Sequence, residues 1–582
     1  MTYVYNSERA FKDDTIDGLC AAYGRYLRRV PGTSAVASVS APEPGRVSTI
    51  VGGGSGHYPS FAGLVGPGLA DAAVCGDVFT SPSAEQAHRT IRAVDGGAGV
   101  LMLFGNYAGD VMHFGLAADL ARAQQGIDAR IVLVTDDIAS APPERAGERR
   151  GIAGDFFVFR AAASAAHRGD SLDEVERAAR HCNDATRTIG VAFDGLTVPG
   201  RDEPLFTVEP ATMVLGLGIH GEPGIQTMPL LPADDLGRLL VARLLAERPP
   251  AADRARVLVN GLGRVKYEEL FILYRAVAAA LHEAGVRLTE PEIGEFVTSL
   301  DMGGCSVTLV WTDDELEELL SAPCAAPGYN RPGPVPGLDG APRPFGPHAA
   351  EVGAELPVVP AGELAPSGRT ARAVLAAMGE RLHELEKHLG DLDAVAADGD
   401  HGTTMTRGMD AALHAADRAG PDAAAVLRAA GMAFADAAGG ASGALWGSGL
   451  TTVGALLGAA GDDRPGAVYL AGAFEAAREA VIRLGGSVPG DKTMVDALDA
   501  FVREFRTAAD GGARVTDAWS AAAAAARAAA EATKDMRARR GRAARLADRS
   551  VGTLDPGAVS LAESLTAAGA ALRQASTLGT PS

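Results

Sequence analysis

Through about residue 325 the chain alternates short apolar runs with turns rich in Gly and polar residues. Val47–Val51 runs into GGGSGH, Val100–Phe104 into GNYAGD, Ile131–Val134 into TDD, and Val257–Val259 into NGLG. Short β-rich runs of this kind, closed by turn residues, read as strands. Strand, loop and helix in alternation predict an α/β unit whose ligands gather at the carboxyl ends of the strands. The periodicity then lapses between Pro323 and Pro366, where eleven of the 33 prolines collect. That stretch is expected to be an extended linker with polyproline character. Beyond it, Val374, Met378, Leu382, Leu385, Leu389 and Leu392 recur at steps of three and four, the apolar stripe of an amphipathic helix. The rest is Ala-rich with few β-branched runs, and propensity makes Trp519–Arg540 one long helix. The chain is therefore expected to be multidomain: an α/β domain over 1–325 with subdomains of about 1–195 and 196–325, a Pro-rich linker over 326–366, and an all-α domain over 367–582.

Composition narrows the function. At 582 residues the chain exceeds a single core, and 47% apolar residues give each unit a core of its own. Its 53 basic and 73 acidic residues, net −20, argue against a nucleic-acid binder that works by neutralising phosphates. Five scattered cysteines (Cys20, Cys75, Cys182, Cys305 and Cys324) include no CxxC pair, which suits a reducing cytosol and offers no zinc site. Neither a signal-type apolar stretch at the N-terminus nor an apolar run of membrane-spanning length is found. A cytoplasmic protein with no membrane partner is expected.

The densest chemistry lies in LDAVAADGDHG, Leu392–Gly402, where Asp393, Asp398 and Asp400 fall within eight residues. Such a cluster repels itself unless cations fill it. It is expected just past the end of the striped helix, where partial negative charge disfavours carboxylates and so points to a ligand. Hard oxygen donors of this kind suit Mg²⁺ in a phosphoryl-transfer site. A solvated acidic loop and a calcium site are the plainer readings, although the missing Glu and the wrong period exclude an EF-hand.

Three Gly-rich loops carry the other candidates. In GGGSGH, Gly52–His57, backbone N–H groups can approach hydroxyls or phosphates closely, although a tight turn explains the motif alone. GNYAGD offers Asp110, which singly would be a turn residue or N-cap. GLGIHGEPG offers His220 in a loop too Gly-rich for ordinary core. Three such loops in one α/β unit raise the case for catalysis by His57, Asp110 and His220.

Taken with AAVCGDVFTSPS and TSLDMGG, these motifs resemble, in order and spacing, the substrate half of the dihydroxyacetone kinase family, across almost all of the first 325 residues. The resemblance implies an α/β fold of two subdomains in which Gly54, Ser55, Gly56 and His57 line a short-chain ketose. It also implies that His220 adds to the ketone as a covalent hemiaminal, and that His57 and Asp110 act as acid and base, with Asp110 taking the proton of the terminal hydroxyl. Imidazole attacks a carbonyl but not an alcohol carbon, so such a site selects ketoses over polyols by reaction.

The second half resembles the family's nucleotide domain, a barrel of helices. The resemblance implies Mg²⁺ ligands in Asp393, Asp398 and Asp400, two ions in all, with His401, Gly402, Thr403 and Thr404 beside ATP. GGASG, with Ala441 and Ser442, would be a loop for phosphates. Gly485, Met494 of PGDKTM, Arg542, and Asp555 with Gly557 of DPG would complete the nucleotide pocket. The plain readings are an interhelical turn for GGASG, a solvated face for the basic run around Arg542, and a surface pair for Lys492 and Asp491. A homodimer is implied, one chain's ATP domain lying over the partner's substrate site.

The chain departs from the family at several places. Tyr58 stands where Glu is common, and Gly105 where bacterial relatives often have Lys; together they suggest a pocket for a longer ketose, erythrulose ahead of dihydroxyacetone. Ala397 replaces a Gly of GDGD, and Arg545 stands near the place of an aromatic. The expectation is an ATP-dependent kinase of a short-chain ketose. Its rivals are a lyase that cyclises FAD and a non-enzymatic regulator that senses a ketose.

Overall fold

The computed structural model describes residues 3–333, 359–360, 363–460, 465–540 and 547–578. The chain divides into two compact units, Met1–Pro342 and Arg343–Ser582. An α/β unit followed by a helical one is what the two hydrophobic periods predict.

The first unit contains two sheets. Strands β1 (Leu27–Arg29), β2 (Ala35–Ser38), β3 (Ser48–Ser55), β4 (Ala72–Val78), β5 (Val100–Gly105) and β6 (Ala129–Val134) form a sheet in the order β1-β2-β4-β3-β5-β6. Its central strands β4, β3, β5 and β6 are parallel, while β1 and β2 are antiparallel additions at one edge. The chain leaves β3 for β4 on one side and returns to β5 on the other. This reversal opens a crevice at the carboxyl ends of β3 and β5, where doubly wound sheets bind ligands.

The second sheet holds β7 (Thr186–Ala192), β8 (Thr212–Leu215), β9 (Gln226–Pro229), β10 (Arg254–Gly261), β11 (Arg287–Leu288), β12 (Glu292–Gly294) and β13 (Gly304–Trp311). They run in the order β11-β10-β13-β7-β8-β9, with β12 also on β10. Because β7 pairs with β13 and β8, the second sheet begins near residue 186 rather than at 196. The helix Asp155–Arg168 is buried from Asp155 through Ala166. It shares one core with Leu101 and Leu103 of the first sheet and with Leu258 and Val310 of the second, so it joins the two subdomains.

Residues 326–331, expected to open the linker, belong to the α/β unit, and most of the remaining linker stretch lies outside the described residues. A hairpin of β14 (Cys324–Ala325) and β15 (Asn330–Arg331) returns onto the α/β unit, with Ala325 N–H donating to Pro67 O and Gly328 N–H to Gly63 O. Tyr329 is the reason: its ring packs on Phe156 and Phe296 and its hydroxyl donates to Glu292. At the far end, Leu364 is buried and Ala365 N–H donates to Pro421 O in the helical unit.

Among the described residues the second unit has eight long helices: Pro366–Asp393, His401–Ala416, Ala423–Ala438, Gly440–Ala460, Ala467–Gly485, Met494–Asp510, Val515–Ala532 and Pro556–Leu578. Each packs on the next and the last packs on the first, closing a barrel around an apolar cavity of about 1580 Å³. The single helix expected over Trp519–Arg540 ends at Ala532, where Thr533–Asp535 forms a 3₁₀ turn. Tertiary bonds override the Ala-rich propensity there. The Lys492 ammonium takes Met536 O at 3.1 Å, and the Thr533 hydroxyl oxygen accepts from Asp555 N–H at 2.9 Å, which pulls the chain out of the helix.

Candidate active site

The crevice of the first sheet is a cavity of about 320 Å³ lined by Gly52, Gly53, Gly54, His57, Phe79, Ser81, Tyr107, Asp110, Asp155 and His220, among others. Its glycines are required by contact. A Cβ at Gly54 would stand 2.7 Å from Thr80 N, and one at Gly52 would stand 2.7 Å from the Phe114 ring. Gly54 and His57 therefore line the cavity as expected. Ser55 and Gly56 do not: the Ser55 hydroxyl donates to Gly76 O at 2.6 Å, and Gly56 (φ +108°) turns the chain beneath Phe79.

His220 sits in the loop joining β8 to β9 and meets His57 Nε2 to Nε2 at 3.1 Å. His57 is 2% exposed, and its Nδ1 lies 2.7 Å from Thr298 O, which can only accept, so Nδ1 carries a proton and Nε2 is an acceptor. Burial, reinforced by the neighbouring charge of His220, lowers the His57 pKa to about 3. On its other side His220 Nδ1 faces Glu222 Oε1 at 2.9 Å, and its backbone N–H also donates to Glu222. Burial pushes the Glu222 carboxyl up, but the hydrogen bonds and charge of His220 outweigh it and bring the pKa to about 2. A carboxylate only accepts, so Nδ1 is the protonated nitrogen and Nε2 is the one turned toward the cavity. The two Nε2 atoms form a hydrogen bond when one proton lies between them. Rings of Phe79 and Tyr107, with centroids 5.0 and 4.9 Å from that of His220, fix the plane of the imidazole.

Asp110 occupies the first turn of the helix Ala108–Gln125 and is 6% exposed. Burial raises its pKa to about 6 against the lowering effect of the Ser81 hydroxyl, and its Oδ1 has no partner. A carboxyl so placed is a base near neutral pH.

Neither departure at the pocket acts as a simple loss of charge. Tyr58 is 45% exposed, with its ring beside Gly63 and outside the cavity lining. Gly105 is in the lining, and a Cβ there would stand 2.9 Å from the Tyr107 ring and 3.1 Å from Gly151 O. The missing side chain thus makes room for Tyr107, whose hydroxyl donates to Gly151 O at 3.0 Å.

In the helical unit the three acids converge. Ligand oxygens of Asp393, Asp398 and Asp400 lie within 4.8 Å of one another, a hard-oxygen set that fits Mg²⁺. Asp393 is the last residue of its helix and Asp400 the N-cap of the next, so the cluster straddles one helix end and one helix start rather than lying wholly beyond an end. Gly399 (φ +78°) makes the turn and its N–H donates to Asp393 Oδ2 at 3.0 Å. Ala397 is outside the positive-φ residues, so the Gly lost there was not needed by the backbone.

Further expected residues gather on the same side. His401 Nε2 lies 3.0 Å from Ser560 Oγ in the first turns of Pro556–Leu578. Gly402 rests against the Glu386 backbone, where a Cβ would meet Glu386 O at 1.9 Å, and the Thr403 hydroxyl donates to Glu386 at 3.3 Å. Thr404 follows in the same helical turn, its N–H donating to Asp400 O. Asp555 caps Pro556–Leu578 by accepting from Ala558 N–H at 2.7 Å, and burial, with the nearby Asp496 and Asp393 charges, raises its pKa to about 7. Gly557 packs on Met494, the first residue of Met494–Asp510.

GGASG is a helix junction, not a loop. Gly439 (φ +62°) alone separates Ala423–Ala438 from Gly440–Ala460, so Ala441 and Ser442 present first-turn amides. Arg407 donates to Ala437 O and Ala438 O and ties this junction to the helix that begins at His401. Gly485, the last residue of its helix, packs on Leu445. Arg542 and Arg545 lie outside the described residues. Lys492 is no surface residue: it is 3% exposed and its ammonium also takes Thr553 O at 2.8 Å and Ser550 O. Helix N-termini at His401 and Gly440 are suited to phosphates by their first-turn N–H groups and dipoles, whereas those at Met494 and Pro556 are capped by Thr493 and Asp555.

Sequence reasoning missed Glu222, Tyr107, Phe79, Asp155 and Arg150 in and around the cavity of the first unit. Glu222 follows His220 by two residues, and that spacing was a usable signal. Arg150 pairs with Asp137 at 2.8 Å and lies 3.8 Å from Glu222, contacts between distant segments that no local pattern announces.

The chain is similar to known proteins over nearly its whole length. A Dak1 domain matches residues 17–328 and a DAK2 domain residues 395–570. A D-erythrulose kinase of Mycolicibacterium smegmatis is 47% identical over 97% of this chain and 97% of its own. An L-erythrulose 1-kinase of the same organism is 48% identical over 98% of this chain and 99% of its own. The solved structure of the dihydroxyacetone kinase from C. freundii in complex with AMP-PNP and Mg²⁺ is 29% identical, with a TM-score of 0.60 over 97% of this chain and 99% of its own.

Proposed function

The chain belongs to the dihydroxyacetone kinase family and is an ATP-dependent ketose kinase; from that premise we propose that it phosphorylates a four-carbon ketose of the erythrulose type, held covalently on His220. The observation that carries this reading is the set of His220, His57 and Asp110 facing one cavity, with Glu222 fixing Nε2 of His220 as the reacting nitrogen. Similarity to relatives named for both D- and L-erythrulose supports the chain length.

The residues divide the work as follows. The proton between the two imidazoles passes to His57 Nε2, and His220 Nε2 adds to the ketone carbon. The carbonyl electron pair moves to oxygen, which takes the proton back from His57. Protonated His57, with a pKa of about 3, is a strong donor for that step. Glu222 balances the positive charge that the alkylated imidazole then carries. Asp110 receives the proton of the terminal hydroxyl as the hydroxyl oxygen bonds the γ-phosphorus of ATP and the bond from that phosphorus to the β-phosphate oxygen breaks, releasing ADP. Covalent attachment fixes that hydroxyl, and positioning is the larger part of phosphoryl transfer.

Asp393, Asp398 and Asp400 hold magnesium in this reading, two ions in all, with His401, Met494, Asp555 and Gly557 beside the nucleotide. Magnesium held by these carboxylates would offset the negative charge that develops on the transferred group. A homodimer in which one chain's helical unit serves its partner's ketose is part of the proposal, as is a cytoplasmic location. Among the described residues, no helix is long and apolar enough to cross a membrane.

The test is a panel of D-erythrulose, L-erythrulose, dihydroxyacetone and glycerol with Mg-ATP. One erythrulose should show the highest kcat/KM and glycerol none; a preference for dihydroxyacetone removes the four-carbon reading, and turnover of glycerol removes covalent addition.

A further inference from the structure

The ketose cavity contains a second carboxyl that the chemistry above leaves idle. Asp155 is the first residue of the buried helix Asp155–Arg168, is 2% exposed, and lines the cavity with His57, Asp110 and His220. Its Oδ1 is buried with no hydrogen-bond partner. Unpaired buried oxygens are few in folded proteins because each forgoes its hydration without return. Of the two such carboxyl oxygens facing this cavity, Asp110 Oδ1 is accounted for by the hydroxyl it deprotonates.

The surroundings hold Asp155 firmly at the cavity wall. Asp136 accepts from Ile152 N–H at 2.8 Å and Gly154 N–H at 2.7 Å, which shapes the turn leading into the helix, and Asp155 N–H donates to Ile152 O. Two glycines keep the wall beside it bare. A Cβ at Gly151 would stand 3.0 Å from Asp155 Oδ1 and 2.4 Å from Gly105 Cα. Burial, together with the negative charges of Asp136 and Asp110, pushes the Asp155 carboxyl well above the usual range. A neutral carboxyl donates as well as accepts, and a pair of carboxyls held in different protonation states can serve as base and donor in one site.

We propose that Asp155 is a specificity-determining residue whose Oδ1 hydrogen-bonds a hydroxyl of the ketose other than the one phosphorylated. The proposal rests on the ketose-kinase reading above. It explains a buried polar atom that the packing of the chain leaves unsatisfied, and it gives the site a way to prefer polyhydroxy ketones over simple ketols.

The experiment is a substrate-deletion cycle on the full chain with Mg-ATP. Dihydroxyacetone is compared with hydroxyacetone, and erythrulose with 1-hydroxybutan-2-one; each analogue keeps the ketone and the adjacent primary hydroxyl and lacks the others. In the wild type the analogue should be about tenfold or more poorer in kcat/KM, as expected for a buried group left unpaired. Asp155→Leu should bring the pair to within about threefold, Asp155→Asn should keep most of the gap, and neither should move the KM for ATP. Should Asp155→Leu not fold, as read by thermal unfolding, the smaller Asp155→Ser takes its place with the same expectation at reduced size. Parity of the pairs in the wild type overturns the proposal whatever the variants do, and so does an unchanged gap in Asp155→Leu. A wild type that turns over no ketose overturns the ketose-kinase reading, and this inference with it.

Discussion

Glu222 Oε1 lies 2.9 Å from His220 Nδ1, two residues away in the same Gly-bounded loop. That one contact fixes the tautomer of the residue on which the chemistry turns. Replacing it by Glu222→Gln keeps the size and removes the charge that balances an alkylated imidazole. The expected result is a fall of about 10²-fold or more in kcat/KM for the ketose, the scale seen when a carboxylate orienting a catalytic His is lost. The KM for ATP should not change. A variant with ketose kinetics within a few-fold of the wild type would show that His220 needs no partner.

Asp110 links activity and stability with opposite signs. Its pKa rises from 3.8 to about 6 on folding, so the folded chain binds the proton more tightly than the unfolded one. Stability is therefore lost as pH rises through this window, by about 2–3 kcal/mol. Activity runs the other way, since the base must be ionised: kcat/KM for the ketose should climb with unit slope up to about pH 6 and then level. Asp110→Asn should abolish turnover and yet stabilise the α/β unit by about 1–2 kcal/mol at pH 7.5, with no gain below pH 4. Thermal unfolding across pH checks the second half; destabilisation at pH 7.5 would contradict it.

The acids of the helical unit should separate metal use from ketose binding. Asp393, Asp398 and Asp400 supply oxygens within 4.8 Å of one another, and each replacement by Asn removes one donor and one charge. Turnover should fall by about 10²-fold or more in each case, with part of the loss recovered at high Mg²⁺. Erythrulose should still shift the thermal unfolding of the α/β unit. Loss of that shift would place the acids in a different role.

Much of this architecture was legible because its causes are local. Val47–Val51 is β-branched except for Ser48, Val100–Phe104 is apolar throughout, and both run into glycines, so both strands and the cavity at their ends could be read from composition and order. The acidic turn was equally open, since three carboxylates in eight residues have few explanations. Asp155 was not: it begins DFFVF, a run that reads as core, and only the approach of Gly105 and Gly151 from other segments makes it a cavity wall. The helix expected over Trp519–Arg540 failed for the same reason. Its Ala-rich sequence has no stop signal, and it ends at Ala532 because Lys492 and Asp555, from elsewhere in the chain, hold the residues that follow.

Lys492 itself carries the last prediction. Its ammonium is enclosed, 3% exposed, and donates to the carbonyls of Met536, Ser550 and Thr553, so one side chain gathers three points of the segment between two helices. Lys492→Met fills similar space and leaves three carbonyls without their donor, at a cost of about 3 kcal/mol or more if water does not replace it. Arg is no substitute, because a planar fork cannot meet three carbonyls arranged around a point. The loss should be local. Thr533 and Asp555 are joined by the 2.9 Å bond from Asp555 N–H, so loosening one end of the segment loosens the residue that caps Pro556–Leu578. Amide exchange should quicken in Thr533–Arg540 and Ala547–Asp555 and stay unchanged in the α/β unit. The KM for ATP should rise severalfold while ketose binding is unaltered. If exchange quickens throughout the helical unit, Lys492 supports the whole barrel rather than this segment; if it changes nowhere, the three carbonyls are satisfied without it.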